Sequence, residues 1–310
     1  MERVRIDIQG LARDVFCTSG KGATIGAGFR NALACLFMSN DVPVVQEALS
    51  LRAICKLGFI LLASAVLMPL QWLLMRFTRG RAAFVVPRWW FACLRRALGI
   101  RVEVVGMPRS GGGTLFVGNH VSHYDIVLLG GVLQARFIAK DDMTRWPGMG
   151  FVGELAQTVY ISRRQRDAAA VAAALAAQLR ADHDLVLFPE GTTSSGERVA
   201  PFKSSLFALF LGQGAQAWTL QPFTQELVSV DGRALSAGGD RAAYAFHGDM
   251  DAGAHVKHFL NLSGAAVRLT FHPPIQIDPD ADRKTLALQL HDIVASALPT
   301  HGDAPPPARD

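Results

Sequence analysis

Cysteine is scarce in this chain. Of 310 residues only Cys17, Cys35, Cys55 and Cys93 are cysteines, none follows residue 93, and no two stand in a CxxC spacing. That argues against a zinc site or a redox pair and for small buried or lipid-facing side chains. Other signatures are missing too. There is no HExxH, and neither His120/His123 nor His255/His258 has an acidic partner at a ligating spacing, so no catalytic metal is expected. There is no GxSxG, which argues against an α/β-hydrolase. The stretch Ser19-Gly20-Lys21-Gly22 lacks the upstream glycine and the hydroxyl residue after lysine that a phosphate loop needs. The net charge of +5 suits an anionic lipid surface or substrate. With no matching motif, nucleic acid is not an expected partner. No signal-peptide cleavage pattern and no internal repeat stands out.

Acidic residues are absent from the whole interval between Glu47 and Glu103. Within it, residues 57–75 form a nineteen-residue run without a charge, containing Ser64, Gln71 and Pro69. About 20 apolar residues cross a bilayer, so the run is just long enough, and Pro69 is expected to kink it. Arg52 and Lys56 precede the run; Arg76, Arg79, Arg81, Arg88, Arg95, Arg96 and Arg101 follow it. Such flanks predict membrane attachment, spanning or lying in the interface. The heavier basic side places the rest of the chain on the cytoplasmic face of the inner membrane. Trp89 and Trp90 suit the headgroup level. The expected organisation is an N-terminal extension of unknown role (1–50), a membrane-associated helical segment (51–100), a catalytic domain (101–298) and a proline-rich disordered tail (299–310).

From residue 101 onward, short apolar runs alternate with helical stretches. Residues 101–105, 114–117, 135–139, 158–161 and 185–188 read as strands, as do 217–223, 242–246 and 265–271. Residues 124–133, the alanine-rich 167–179 and 283–297 read as helices. Alternating buried strands and helices predict an α/β domain with a mixed, largely parallel sheet flanked by helices.

Two motifs carry the chemistry. The first, Gly118-Asn119-His120-Val121-Ser122-His123-Tyr124-Asp125, directly follows a strand, where an α/β sheet usually presents its chemistry. If a helix starts just after His120, the Asp125 carboxylate folds back onto the imidazole. It then takes one ring N–H and leaves the other nitrogen free as a base. Read alone, HxxxxD also fits a helix cap followed by a solvated acid. The second motif, Leu187-Phe188-Pro189-Glu190-Gly191-Thr192-Thr193-Ser194, runs from an apolar strand into a turn. Proline ends the ladder, glycine lets the backbone pass close to a ligand, and the hydroxyls suit a polar headgroup. Lys203 and Arg198 are the nearest downstream cations. Read alone, this is equally an ordinary strand-to-loop turn.

Together, NHxxxxD and, about seventy residues later, FPEGT resemble the glycerolipid acyltransferase family typified by bacterial 1-acylglycerol-3-phosphate acyltransferase. Phe137-Ile138-Ala139-Lys140, Trp146-Pro147, Tyr160-Ile161-Ser162-Arg163 and Leu220-Gln221-Pro222-Phe223 look like its other blocks. The resemblance implies that His120 is the general base and Asp125 its orienting partner. It implies a direct attack by a lysolipid hydroxyl on acyl-CoA or acyl-ACP, with no metal or tightly bound cofactor. Asn119, Arg163, Glu190, Gly191, Thr192 and Lys203 would bind the acceptor.

Two departures stand out. Thr193 replaces the arginine of FPEGTR, and Ser162 replaces the aspartate of Ile-Asp-Arg. The stretch from Phe188 through Pro201-Phe202-Lys203-Ser204-Ser205-Leu206, with Tyr244-Ala245-Phe246-His247-Gly248-Asp249-Met250, resembles the branch containing lyso-ornithine lipid acyltransferases. The first expected acceptor is 1-acyl-sn-glycerol-3-phosphate, giving phosphatidic acid in phospholipid biosynthesis. The alternatives are a lyso-ornithine lipid acceptor, or a catalytically inactive membrane-anchored lipid-binding protein.

Overall fold

The computed structural model describes residues 48–299 other than 79, 110, 141–148, 162–167, 182, 212–217 and 279. The extension expected at 1–50 and the tail expected at 299–310 fall almost wholly outside the described residues. So do Trp146, Pro147, Ser162 and Arg163.

Among the described residues the strands are β1 (Ile100–Val105), β2 (Thr114–Gly118), β3 (Ala135–Lys140), β4 (Val159–Ile161), β5 (Asp184–Leu187), β6 (Trp218–Val230), β7 (Arg233–Ala234), β8 (Ala265–Phe271) and β9 (Ile275–Ile277). They form one sheet with the path β1-β8-β6-β2-β5-β3-β4. The pairs β2/β5, β2/β6, β3/β5, β3/β4 and β1/β8 are parallel; β7, β8 and β9 run antiparallel to β6. The sheet is mixed and largely parallel, as the alternating pattern predicts.

The helices are α1 (Leu51–Leu74), α2 (Val85–Leu98), α3 (Asp125–Gly130), α4 (Met149–Leu155), α5 (Ala168–Arg180), α6 (Ser204–Phe207), α7 (Ala252–Asn261) and α8 (Arg283–Ala295). Side-chain caps set several starts: Ser50 accepts the Ala53 N–H, Asp251 that of Ala254 and Asp282 that of Thr285. The central strands β2 and β5 are buried along their length. Strands covered on both faces are mostly apolar, and the buried polar residues that start these two meet each other: the Thr114 N–H donates to Asp184 Oδ1 (2.9 Å). Phe116 and Val186 feed one core with Leu128 of α3 and Phe259 of α7. Leu115, Val117, Leu185 and Leu187 feed the other with Leu175 of α5 and Leu290 of α8. Each such buried side chain contributes about 2 kcal/mol.

Helix α1 starts before the uncharged run and continues through Pro69. It is the described helix long and apolar enough to cross a membrane, with only 6% of its most apolar window buried. Leu51, Ile54, Leu57, Phe59, Leu61, Leu62 and Val66 are exposed. Its other side is held to the domain: the Trp90 Nε1–H donates to Ser64 Oγ (2.9 Å), and Lys56 Nζ donates to the carbonyls of Leu98 (3.2 Å) and Leu262 (2.7 Å).

Residues 242–246, expected as a strand, are instead a 3-10 turn (Arg241–Ala243) followed by irregular chain. The Asp240 carboxylate caps the Ala242 N–H, and the Ala245 N–H donates to the Arg241 carbonyl. The local side-chain bond outcompetes a ladder. The run is apolar because Tyr244 and Ala245 are core. Strand β6 extends past the expected 217–223, and its polar side chains there have partners: the Gln225 amide donates to the Asn119 carbonyl, and Glu226 accepts from Arg268 on β8.

Candidate active site

Strand β2 ends at Gly118 and releases the chain into Asn119-His120. A side chain at Gly118 would run into the ring and carbonyl of Phe223 on β6, so the strands approach closely only with glycine here. The first turn of α3 follows at once, and its leading residue is Asp125. The fully buried Asp125 Oδ2 accepts from His120 Nδ1 (2.8 Å), the Val121 N–H (2.7 Å) and the Ser122 N–H (3.1 Å). Three donors on one oxygen fix the carboxylate, and the carboxylate fixes the tautomer. With the proton on Nδ1, Nε2 carries the lone pair. The His120 side chain keeps 20% of its surface exposed.

The second motif builds the floor beneath this imidazole. Phe188, just past β5, stacks on His120 with ring centres 4.1 Å apart and planes 11° from parallel. Two residues on, Glu190 Oε1 accepts the His120 N–H (2.7 Å) and Oε2 accepts the Ala200 N–H (3.1 Å). Ser194 donates its N–H (2.8 Å) and hydroxyl (3.2 Å) to the His120 carbonyl. Burial pushes Glu190 up to about 7. The His120 and Ala200 N–H groups, the charge of His120 and the Ser194 hydroxyl pull against it.

Asn119 is fully buried and embraces Gln225: its Nδ2 donates to the Gln225 carbonyl (2.9 Å), and its Oδ1 accepts the Gln225 N–H (2.7 Å). The Gln225 amide returns a bond to the Asn119 carbonyl (2.8 Å). Asn119 and Glu190 therefore lie under the site and bond backbone there. Gly191 has φ +70°, a left-handed turn that favours glycine, and Lys203 lies over it. A Cβ at Gly191 would stand 2.6 Å from Lys203 Nζ. Thr192 is exposed and Thr193 half-buried. Arg163 lies outside the described residues.

His123 is a different kind of histidine. It packs against Tyr124 (4.2 Å), Phe246 (5.1 Å) and His255 (5.1 Å). Burial first, then the neighbouring His255, pushes it down to about 4, so it is neutral and only weakly basic. Among the described residues no group of three His, Cys, Asp or Glu could hold a metal ion. Ser194, expected to offer its hydroxyl and amide to a headgroup, gives both to the His120 carbonyl; Phe188 and Gln225 were not expected as site residues. Phe188 lies inside the second motif and could have been suspected; nothing in the sequence marks Gln225.

A family model described as Acyltransferase matches residues 100–222. The chain is 32% identical over 240 residues to a lyso-ornithine lipid O-acyltransferase of Brucella abortus, covering 76% of this chain and 89% of that protein. It is 35% identical over 212 residues to the lyso-ornithine lipid O-acyltransferase of Pseudomonas aeruginosa, covering 68% and 77%. A 1-acyl-sn-glycerol-3-phosphate acyltransferase of Neisseria meningitidis is 28% identical over 209 residues, covering 67% and 78%. The fold is that of the 1-acyl-sn-glycerophosphate acyltransferase of Thermotoga maritima, with a TM-score of 0.57 at 18% identity over 80% of this chain and 95% of that one. The chain belongs to the acyltransferase family, and its activity is that of a lysolipid acyltransferase.

Proposed function

We propose that this protein acylates the hydroxyl of a lyso-ornithine lipid, with His120 as general base. The hydroxyl gives its proton to His120 Nε2 as its oxygen attacks the thioester carbonyl of acyl-CoA or acyl-ACP. Asp125 holds the resulting imidazolium. The tetrahedral intermediate collapses, an ester forms, and the departing thiolate takes the proton back from Nε2. No acyl-enzyme and no metal enter this scheme. Asn119 and Glu190 act by positioning: one ties the His120 segment to β6, the other holds its backbone N–H.

The observation that carries the acceptor is Thr193. A phosphate monoester bears close to two negative charges and is best met by a fixed guanidinium fork. Thr193 offers only a neutral hydroxyl. An ornithine headgroup has a single carboxylate, which Lys203 beside Gly191 can meet. Gly191, Thr192 and Lys203 would contact the headgroup, with Arg163 a further cation. The similarity to proteins named lyso-ornithine lipid O-acyltransferases supports the same reading.

The second reading, 1-acyl-sn-glycerol-3-phosphate as acceptor, is favoured by Lys203 itself, a cation that can also meet a phosphate, and by the Neisseria relatives. An acceptor panel decides. Purified protein in detergent is given labelled acyl-CoA or acyl-ACP with each lysolipid in turn. The expected result is a higher kcat/KM for lyso-ornithine lipid. A higher value for lysophosphatidic acid overturns the first reading. The exposed apolar face of α1 supports a membrane location, with the inner membrane and its cytoplasmic face the reading that the basic flanks favour.

A further inference from the structure

Away from His120 the structure holds a second basic site. A cavity of about 450 Å³ lies where the end of α2, the starts of β1 and β8 and the far end of β6 meet. Its lining includes Arg95, Arg96, Arg101, Ser263, Gly264 and Gly232, and no carboxylate among the described residues. The nearest acid in sequence, Asp231, has its Oδ1 on the Ser263 N–H (2.6 Å). Arg95 Nη1 donates to the Ile100 carbonyl (2.9 Å), while its buried Nε has no partner among the described residues. Burial, and then the charge of Arg96, push the Arg95 guanidinium down.

The position matters as much as the charge. Gly118 pairs with Phe223 on β6, and β6 then runs on to Val230, which pairs with Ala265 at the cavity. At about 3.3 Å per residue the cavity lies on the order of 20 Å from the end of β2, clear of the acyl-transfer site. It sits where α1 begins. Lys56 is bonded there to the carbonyls of Leu98 and Leu262, and the Ser50 N–H donates to the Asn261 side chain (2.9 Å). The exposed apolar residues of α1 start at Leu51, so the cavity lies near the end of α1 from which its apolar face extends.

We propose that this cavity binds the phosphodiester headgroup of an anionic membrane lipid, as a docking site separate from the acceptor site. Three arginines without a counter-charge among the described residues call for an anion, and planar guanidinium groups match phosphate oxygens. A soluble phosphate has the same chemistry. The membrane lipid is favoured because the cavity adjoins the start of the apolar helix, where phospholipid phosphates would lie.

The test is flotation of the full-length protein with vesicles of phosphatidylcholine, alone or doped with phosphatidylglycerol. The variants are Arg96→Gln/Arg101→Gln, which spares the Arg95–Ile100 bond, and Arg283→Gln/Lys284→Gln, which removes equal charge from α8. The first pair should lower binding to the doped vesicles by roughly tenfold or more, and the second should change it little. Binding to phosphatidylcholine, and turnover in detergent, should stay as in wild type. Arg96→Lys/Arg101→Lys keeps the charge and loses the fork, so it should fall towards the glutamine pair. Equal binding by wild type and Arg96→Gln/Arg101→Gln, or full binding by the lysine pair, overturns the proposal. Calorimetry with inorganic phosphate and glycerol 1-phosphate forms the other arm. Tight binding there, with no effect of the variants on vesicles, would assign the cavity to a soluble phosphate and overturn the lipid reading. Because turnover in detergent is read separately, failure here leaves the acceptor assignment intact.

Discussion

The backbone N–H of His120 donates to Glu190 Oε1 at 2.7 Å, which joins two motifs seventy residues apart through one hydrogen bond. The imidazole is therefore fixed from two directions, by Asp125 at the ring and by Glu190 at the main chain.

Replacing His120 by alanine should lower turnover by about 10²–10⁴, the usual contribution of a general base. The thermal midpoint should stay close to wild type, because the ring is partly exposed and the backbone bond to Glu190 survives. Asp125→Asn should also lose activity, since an amide N–H facing Nδ1 favours the wrong tautomer. Steady-state rates on purified variants, beside circular-dichroism melts, check both. A His120→Ala enzyme with near-normal turnover would remove the dyad from the mechanism.

Glu190 should make stability depend on pH in an unusual direction. Its folded value, about 7, lies above the ordinary 4.5, so the folded state holds the proton more tightly. The stabilisation is full below about pH 4.5 and is lost as pH rises towards 7, a change of up to roughly 3 kcal/mol. His123, pushed down to about 4, works with the opposite sign: its contribution is present above about 6.5 and lost as pH falls. Comparison with Glu190→Gln isolates the carboxyl. The stability of wild type relative to the variant, from urea midpoints, should fall between pH 5 and pH 8. A constant difference would contradict the raised value.

Lys203→Ala should raise the apparent KM for the acceptor more than it lowers kcat, because a headgroup contact is shared by ground and transition states. If Lys203 meets a phosphate, the loss should be greater for lysophosphatidic acid than for lyso-ornithine lipid. If it meets the ornithine carboxylate, the order reverses. Equal KM values for wild type and variant with both acceptors would remove Lys203 from the site.

Membrane attachment should depend on the exposed side of α1. Leu61, Leu62 and Val66 are 60%, 65% and 59% exposed, so Leu61→Gln/Leu62→Gln/Val66→Gln costs the folded domain little. Each aliphatic side chain moved from water into lipid contributes about 2 kcal/mol, so partition into membranes should drop by more than tenfold. Sedimentation reads the loss, and alkaline carbonate extraction separates insertion from surface binding. Unchanged sedimentation would place the attachment elsewhere.

Much of this was legible beforehand where sequence and burial follow a short period. Strands β2 and β5 are apolar over 115–117 and 185–187 because both faces are covered, and such runs announce themselves. The dyad was legible because His120 and Asp125 lie five residues apart across a strand-to-helix turn. The backbone partners of Asn119 and Glu190 were not. Each was expected against the acceptor, and each bonds backbone that arrives from far along the chain: Gln225 for one, His120 and Ala200 for the other. Local pattern carries no trace of such pairings. The misread segment at 242–246 has the same cause, since apolar composition reports burial without reporting backbone form.

Helix α1 also changes how the substrate is found. An enzyme resting on the bilayer by an apolar flank meets its lysolipid by diffusion in a plane. The variable that governs turnover is then the mole fraction of lysolipid in that plane, and its bulk molarity drops out. Diluting the acceptor with inert lipid or detergent at constant total acceptor should slow the reaction, while diluting the whole suspension with buffer should leave the turnover of bound enzyme unchanged.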